Sequence, residues 1–335
     1  MMNLVTGATG HIGNVLVKEL IKRGEKVRVL ILPGEDLTPL NGLEIEIVEG
    51  NILDNSCLRP AFEGVDYVYH LAGIISIMPG KDDFVHDVNV NGTVNMLAAA
   101  KTAKVKRFIH TSSIHAFKRI PHGVIVDENV PIDPDTAVAA YDQSKAEATI
   151  AVLEAARNGL PAVVVCPTGV IGPYDYKGSE MGVLIQEWMM HKINFLIEGN
   201  YDFVDVRDVV QGMILAREKG KVGQIYILSG ELIRVADMWR LVKELISWQK
   251  SSFINIPVRL ASFVAKFTQF YYKHSGSKPR FTTYSIETLH TNAVISNQKA
   301  RSVLGYHPRS LKDSLSDTVS WWKQEVPHLF TKKRR

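Results

Sequence analysis

The sequence predicts an α/β chain in which a doubly wound parallel sheet carries a smaller, mainly helical C-terminal region. Three observations lead there. Short β-branched runs alternate with longer helix-period segments through the first half, the pattern of βαβ units. The first apolar run passes directly into a glycine-rich turn, Thr6-Gly7-Ala8-Thr9-Gly10-His11-Ile12-Gly13. Proline and glycine become dense over residues 167–182, where the alternation breaks and a second region begins.

Taken in order, strands are expected at residues 3–6, 26–32, 44–49, 67–71, 107–111 and 162–166, with helices at 12–23, 84–103 and 141–157. Leu16, Leu20 and Arg23 followed by Gly24 mark a helix that stops at a glycine. A further strand at 223–228 returns to the main sheet, so the two regions interleave.

Bulk properties narrow the function classes. A length of 335 residues exceeds what one core usually spans, and 46% hydrophobic with 22% charged residues is a globular composition. The net charge is only +4 and basic residues cluster only at Lys332-Lys333-Arg334-Arg335, read as a solvated tail, which argues against a nucleic-acid partner. Cys57 and Cys166 stand alone, and the 11 histidines form no HExxH-type group, so no metal is expected. Met1-Met2-Asn3 leads straight into Leu4-Val5 with no leader pattern, which predicts a reducing, cytoplasmic setting.

The glycine turn carries the first chemistry. A helix N-terminus offers unpaired N–H groups and a positive dipole end, and it can hold a pyrophosphate if the backbone can approach closely. Gly7 permits the tight turn, Gly10 leaves room for phosphate, and Gly13 lets the helix pack on the strand. Thr9, His11 and Ile12 line the same turn. This is the fingerprint of a Rossmann-type fold, so a nicotinamide dinucleotide is the expected cofactor. An acid at the end of the second strand usually bonds the ribose 2'-hydroxyl, and none stands in Val29-Leu30-Ile31-Leu32-Pro33-Gly34. No arginine replaces it, and the choice between NADP and NAD stays open with a slight lean to NADP. Arg28 reads as a solvated strand residue. Ile52 and Asp54 follow the third strand, where Asp54 meets the adenine edge, caps the next helix, or does both.

The second chemistry lies in Tyr141-Asp142-Gln143-Ser144-Lys145. A phenol and an ammonium four residues apart share one helix face. A free tyrosine titrates near about 10, so a cation beside it is needed for proton exchange near neutrality. Lys145 is expected to supply that field and to bond the nicotinamide ribose, leaving Tyr141 as general acid or base. Thr111-Ser112-Ser113 ends a predicted strand, where a hydroxyl can bond a substrate carbonyl as charge develops.

In this order and spacing, the glycine turn, His70-Leu71-Ala72-Gly73, Asn89-Val90-Asn91-Gly92-Thr93, Thr111-Ser112-Ser113 and Tyr141 to Lys145 resemble the extended short-chain dehydrogenase/reductases, the NAD(P)-dependent epimerase/dehydratase family. The resemblance implies Ser113, Tyr141, Lys145 and Asn89 as the catalytic set, with Ser113 polarising substrate and Asn89 supporting Lys145. It implies Leu71, Ala72 and Gly73 beside the adenosine and ribose, and Pro167, Gly169 and Val170 along the cofactor. It also suggests a homodimer through helices 91–103 and 141–157. The implied layout is a dinucleotide domain over 1–170, with 200–230 returning to it, and a substrate region over 171–199 and 231–335.

Sugar-nucleotide dehydratases of this family carry an Asp-Glu pair after their catalytic threonine. Ser113 is followed by Ile114-His115, which disfavours dehydration. Cys166-Pro167-Thr168-Gly169-Val170-Ile171-Gly172-Pro173 is similar to the dihydroflavonol-reductase and 3β-hydroxysteroid-dehydrogenase branch, although the family's common arginine is Cys166 here. The expected reaction is therefore interconversion of a secondary alcohol and a ketone on a small, hydrophobic substrate. A nucleotide-sugar epimerase and a non-catalytic dinucleotide sensor are the alternatives. His115, Tyr174 and Tyr176 are candidate pocket residues, and Arg207 either binds an anion or pairs with Asp205 or Asp208. Residues 257–272 are apolar enough to cover a hydrophobic ligand, or to lie on a membrane surface or a partner, but too short and charged to span a bilayer.

Overall fold

In the computed structural model, residues 1–75, 82–121, 123–247, 251–258, 260, 261 and 294–327 are described. Of the segment 257–272, only 257, 258, 260 and 261 fall among them, and the basic residues 332–335 lie outside.

Seven strands form one parallel sheet: β1 (Met2–Thr6), β2 (Lys26–Ile31), β3 (Glu46–Glu49), β4 (Tyr67–His70), β5 (Arg107–Thr111), β6 (Ala162–Pro167) and β10 (Ile225–Leu228), in spatial order β10-β6-β5-β4-β1-β2-β3. The reversal of strand order between β1 and β4 opens a crevice at their C-terminal ends, the place where such sheets bind ligands. Alternation of side chains explains why both faces are covered. Val5, Val29, Ile31, Ile109, Val163 and Val165 enter one core, while their neighbours Leu4, Leu30, Phe108 and Val164 enter the other. On the first face α1 (His11–Lys22) packs with Leu16 and Leu20, and α7 (Val206–Lys219) with Val209 and Met213. On the second lie α2 (Asn55–Ala61), α4 (Gly92–Ala103) and α5 (Ala140–Arg157), through Leu58, Met96 and Val152.

The helix expected over 84–103 is interrupted. A short α3 (Asp82–His86) runs through a π-helical turn at Asp87–Asn91 into α4, and Asn89 occupies that turn. Such bulges re-aim side chains and recur at functional positions.

The second region comprises β7 (Gly169–Ile171), α6 (Glu180–Met190), β8 (Ile193–Ile197), β9 (Asn200–Asp205), β11 (Glu231–Arg234), α8 (Val235–Leu245), β12 (Ser252–Ile256) and α9 (Leu311–Glu325); of the stretch 200–230 expected to return to the main sheet, residues 200–205 pair instead with β7 and β11. Its sheets are small, β11-β9-β7 and β12-β8. Trp188, Met238, Trp239, Leu315, Trp321 and Trp322 form its core. The strand at 169–171 arises inside the Pro- and Gly-rich stretch: Gly169 is needed because a Cβ there would lie 2.7 Å from the Tyr201 ring and 2.8 Å from that of Phe203.

Candidate active site

The dinucleotide end begins where β1 stops. Gly7 has φ +68°, and a Cβ on it would lie 2.8 Å from the Ala72 amide nitrogen, so the turn runs directly against the end of β4. A Cβ on Gly13 would meet the Gly7 carbonyl oxygen at 2.1 Å, so helix α1 sits on the turn itself. Helix α1 opens at Gly10 with no side-chain cap and no acid in its first turn. Its amide groups are thus left to an outside acceptor, which fits a pyrophosphate.

The strand ends are tied together by His70. Nδ1 lies 2.8 Å from the Thr6 hydroxyl and Nε2 3.0 Å from that of Thr93. The Thr6 oxygen accepts from the amides of Leu71 (3.2 Å) and Ala72 (3.1 Å), while Thr93 donates to the Asn89 carbonyl at 2.6 Å. Burial pushes the His70 imidazole down to about 3, so it is neutral and serves as a fixed hydrogen-bonding link.

The second cluster of candidate residues forms where β5, α5 and the π-turn meet. Successive residues after β5 point to opposite sides. The Ser112 hydroxyl lies 2.6 Å from that of Thr149 on α5, whereas Ser113 turns toward Tyr141, hydrogen-bonds it, and accepts from the His115 amide at 3.2 Å. The Lys145 ammonium donates to the Thr111 carbonyl at 3.0 Å and stands 6.0 Å from the centre of the Tyr141 ring. Asn89 binds the Ile74 backbone through both ends of its amide and donates to the Ser144 hydroxyl at 2.9 Å; Ser144 in turn donates to the Tyr141 carbonyl at 2.8 Å. Gly73 completes the arrangement: a Cβ on it would stand 3.1 Å from the Asn89 oxygen and 3.4 Å from the Lys145 nitrogen. Ser113, Tyr141, Lys145 and Asn89 are all buried, and one place brings them together.

The electrostatics differ from the simple expectation. Burial pushes the Tyr141 phenol up to about 12 against the opposing hydrogen bond with Ser113, and burial lowers the Lys145 ammonium to about 8. Dehydration of the site outweighs the field expected from Lys145. Tyr141 is therefore held as a phenol, ready to give a proton, beside an ammonium still charged at neutrality.

The model for the NAD dependent epimerase/dehydratase family matches residues 3–229. The chain belongs to that family. The sterol demethylase protein B of Methylococcus capsulatus is 33% identical over 97% of this chain and 99% of its own. A putative dihydroflavonol 4-reductase of Synechocystis is 29% identical, over 95% and 94% respectively. The crystal structure of gox2253 superimposes with a TM-score of 0.84 at 31% identity, covering 97% of this chain and 98% of that one. This protein is thus an enzyme of the extended short-chain dehydrogenase/reductase class, with relatives in the dihydroflavonol-reductase and sterol-acting branch.

The remaining sequence candidates distribute unevenly in this family member. His11 Nε2 is 3.0 Å from the Pro173 carbonyl, so the phosphate helix is fastened to the second region. Ile12 packs at the edge of the first core, as does Val170, and Leu71 lies beside them. Pro167 ends β6, buried among the sheet's apolar side chains. Asp54 is an exposed helix cap that accepts from the Ser56 amide at 2.9 Å, and Ile52 packs on Gly92. Arg207 pairs with Asp205 and Asp317, each at 2.7 Å, and Asp208 is taken by Arg309, which realises the salt-bridge alternative. Arg28 is not free in solvent; it bridges to Glu46 at 2.7 Å. Tyr174 and Tyr176 enclose the Lys18 ammonium and rest on Trp321.

Three residues beyond those candidates make contact with them. His115 Nε2 is 2.9 Å from the Tyr201 hydroxyl, and its ring meets that of Tyr141 edge-on at 6.4 Å, so Tyr201 is linked to Tyr141 through His115. Burial lowers the His115 imidazole, opposed by the nearby Asp142 carboxylate. At the other end, Leu32-Pro33-Gly34-Glu35 is a β-turn with Gly34 at φ +74° and the Glu35 amide 3.1 Å from the Leu32 carbonyl. The turn folds the Glu35 carboxylate back onto the Leu32 amide at 3.1 Å and onto the Thr9 hydroxyl. An acid therefore does stand at the end of β2, supplied from four residues beyond Ile31. The Lys177 ammonium reaches the same point, 2.7 Å from Thr9 and 2.9 Å from Glu35.

Proposed function

We propose that the protein is an NAD-dependent oxidoreductase that interconverts a secondary alcohol and a ketone on a hydrophobic, ring-bearing substrate. The observation that carries this reading is the buried meeting of Ser113, Tyr141 and Lys145 with no carboxylate following Ser113. A bound nicotinamide dinucleotide supplies or receives the hydride. The Ser113 and Tyr141 hydroxyls hold the substrate oxygen, and as negative charge develops on it Tyr141 gives its proton. Lys145, fixed on the Thr111 carbonyl, stabilises the phenolate left behind. Oxidation follows the same steps in reverse, with the Tyr141 phenolate, stabilised by the Lys145 ammonium, taking the alcohol proton.

The preference for NAD rests on Glu35. A carboxylate on the turn at the end of β2 accepts from the two ribose hydroxyls and repels a 2'-phosphate, which reverses the lean that an apparently acid-free strand end suggested. The substrate class is supported by the His115 ring beside Tyr141, with Tyr201 stacked behind it, and by relatives named for a sterol and a dihydroflavonol.

The test is turnover with NAD on a panel of hydroxysteroids and aryl secondary alcohols, followed by NADH absorbance. Stoichiometric NADH and ketone are expected. Conversion of a UDP-sugar with no net change in cofactor would overturn the reading in favour of an epimerase, and dinucleotide binding without turnover of either class would favour a sensor.

A further inference from the structure

The connection between β7 and α6 reaches across to the glycine turn and is held there by unusual means. Tyr174 sits at φ +72°, a left-handed conformation that an aromatic residue keeps only where its surroundings impose it. Here Asn14 on α1 donates to the Tyr174 carbonyl at 3.1 Å, and Lys18 lies 4.5 Å from the centre of its ring. Beyond it, Asp175 accepts from the Ser179 amide (2.8 Å) and hydroxyl (2.7 Å), and Ser179 caps α6. Between these two anchors the chain delivers Lys177 to Thr9 and Glu35.

We infer that Lys177 is a dinucleotide-binding residue: an ammonium brought from the second region to the adenosine end of the groove, where Glu35 neutralises it and denies it to a 2'-phosphate. This inference rests on the reading of Glu35 given above.

Charge and geometry support it. Thr9 is buried in the phosphate turn, and its hydroxyl lies between the carboxylate and the ammonium, so all three groups share one corner of the groove. Burial works to raise the Glu35 carboxyl, but hydrogen bonds from Thr9, Lys177 and the Leu32 amide bring it below its ordinary value, so the carboxylate is ionised at neutrality. One carboxylate and one ammonium leave the corner close to neutral, suited to a ribose diol: the hydroxyls donate to Glu35 and accept from Lys177. A phosphate in the same corner meets the carboxylate first. Without the Glu35 charge, Lys177 and the Thr9 hydroxyl become two donors with a net positive charge, the elements of a phosphate site.

Fluorescence titration of the full chain with NADH and NADPH decides the matter, using wild type, Lys177→Met, Glu35→Gln and the double variant. Wild type is expected to bind NADH more tightly than NADPH, and Lys177→Met to weaken NADH binding about three- to tenfold, the scale of one half-exposed charge-assisted hydrogen bond. Glu35→Gln should gain about tenfold or more for NADPH, and the double variant should lose at least about fivefold of that gain. Equal NADPH affinity in Glu35→Gln and the double variant, with NADH binding by Lys177→Met unchanged, overturns the assignment of Lys177. Tighter NADPH than NADH binding in wild type instead sinks the reading of Glu35, and the part of Lys177 is then read from whether Lys177→Met weakens NADPH. Lys177→Arg, which keeps charge and reach, should bind as wild type does, separating lost contact from lost structure.

Discussion

The two ends of the cofactor groove are built on opposite principles. At the hydride end, Ser113, Tyr141, Lys145 and Asn89 are buried, and removal from water governs their acidity: the phenol rises to about 12 and the ammonium falls to about 8. At the adenosine end, the Lys177 side chain is 50% exposed and that of Glu35 23%, so their attraction is screened and contributes chiefly selectivity. On the proposed function, dry groups would carry the chemistry and half-wet groups would choose the cofactor. Perturbing the first end should therefore change rates by large factors with little effect on dinucleotide affinity, and perturbing the second should do the reverse by small ones.

The sharpest break between the ends is expected from Tyr141→Phe. Turnover should fall by about a thousandfold, within the range for loss of a general acid, while NADH affinity stays within about twofold. Stopped-flow reduction combined with fluorescence titration measures both. Next comes Asn89→Ala, which takes the acceptor from the half-buried Ile74 amide and removes one of the hydrogen bonds of the buried Ser144 hydroxyl. A stability loss of about 2 kcal/mol is expected by urea unfolding, together with slower turnover as the first turn of α5 loosens. Lys145 makes a pH-dependent prediction. Its active form is the ammonium, which is present below about 8 and lost above it. Ketone reduction should accordingly decline on the alkaline side of about 8, and Lys145→Arg should shift that limb further alkaline, whatever rate it retains. The smallest effect belongs to Glu35→Gln, where NADH affinity should weaken about three- to tenfold with turnover at saturating cofactor unchanged.

What could be read from the sequence follows the same division. The seven-stranded sheet was legible because its strands are short apolar runs bounded by turn residues, and Gly7, Gly10 and Gly13 announce backbone contacts that a Cβ would block. Tyr141 and Lys145 were legible because helical spacing alone puts them on one face. Their acidity was not, because it depends on how much water the folded chain excludes, and burial reversed the expected order of effects on Tyr141. Glu35 lies beyond the strand end where an acid is usually sought, yet Pro33-Gly34 was a readable sign of a turn that returns the next residue to the strand. Tyr201 and Lys177 come from segments 86 and 168 residues away from their partners His115 and Thr9, and no local pattern joins them. The glycine at 169 is the one local trace of Tyr201, since it leaves the space that the ring fills.

The central claim, that hydride moves between a dinucleotide and a substrate carbonyl at Tyr141, is tested most directly by deuteride transfer. The enzyme is supplied with NADH deuterated at the transferable position and a ring ketone that it reduces, and the alcohol is analysed by mass spectrometry. One deuterium per molecule at the carbinol carbon is predicted, with product formation suppressed in Tyr141→Phe. Alcohol formed without deuterium, or undiminished labelled product from the phenylalanine variant, would contradict the account.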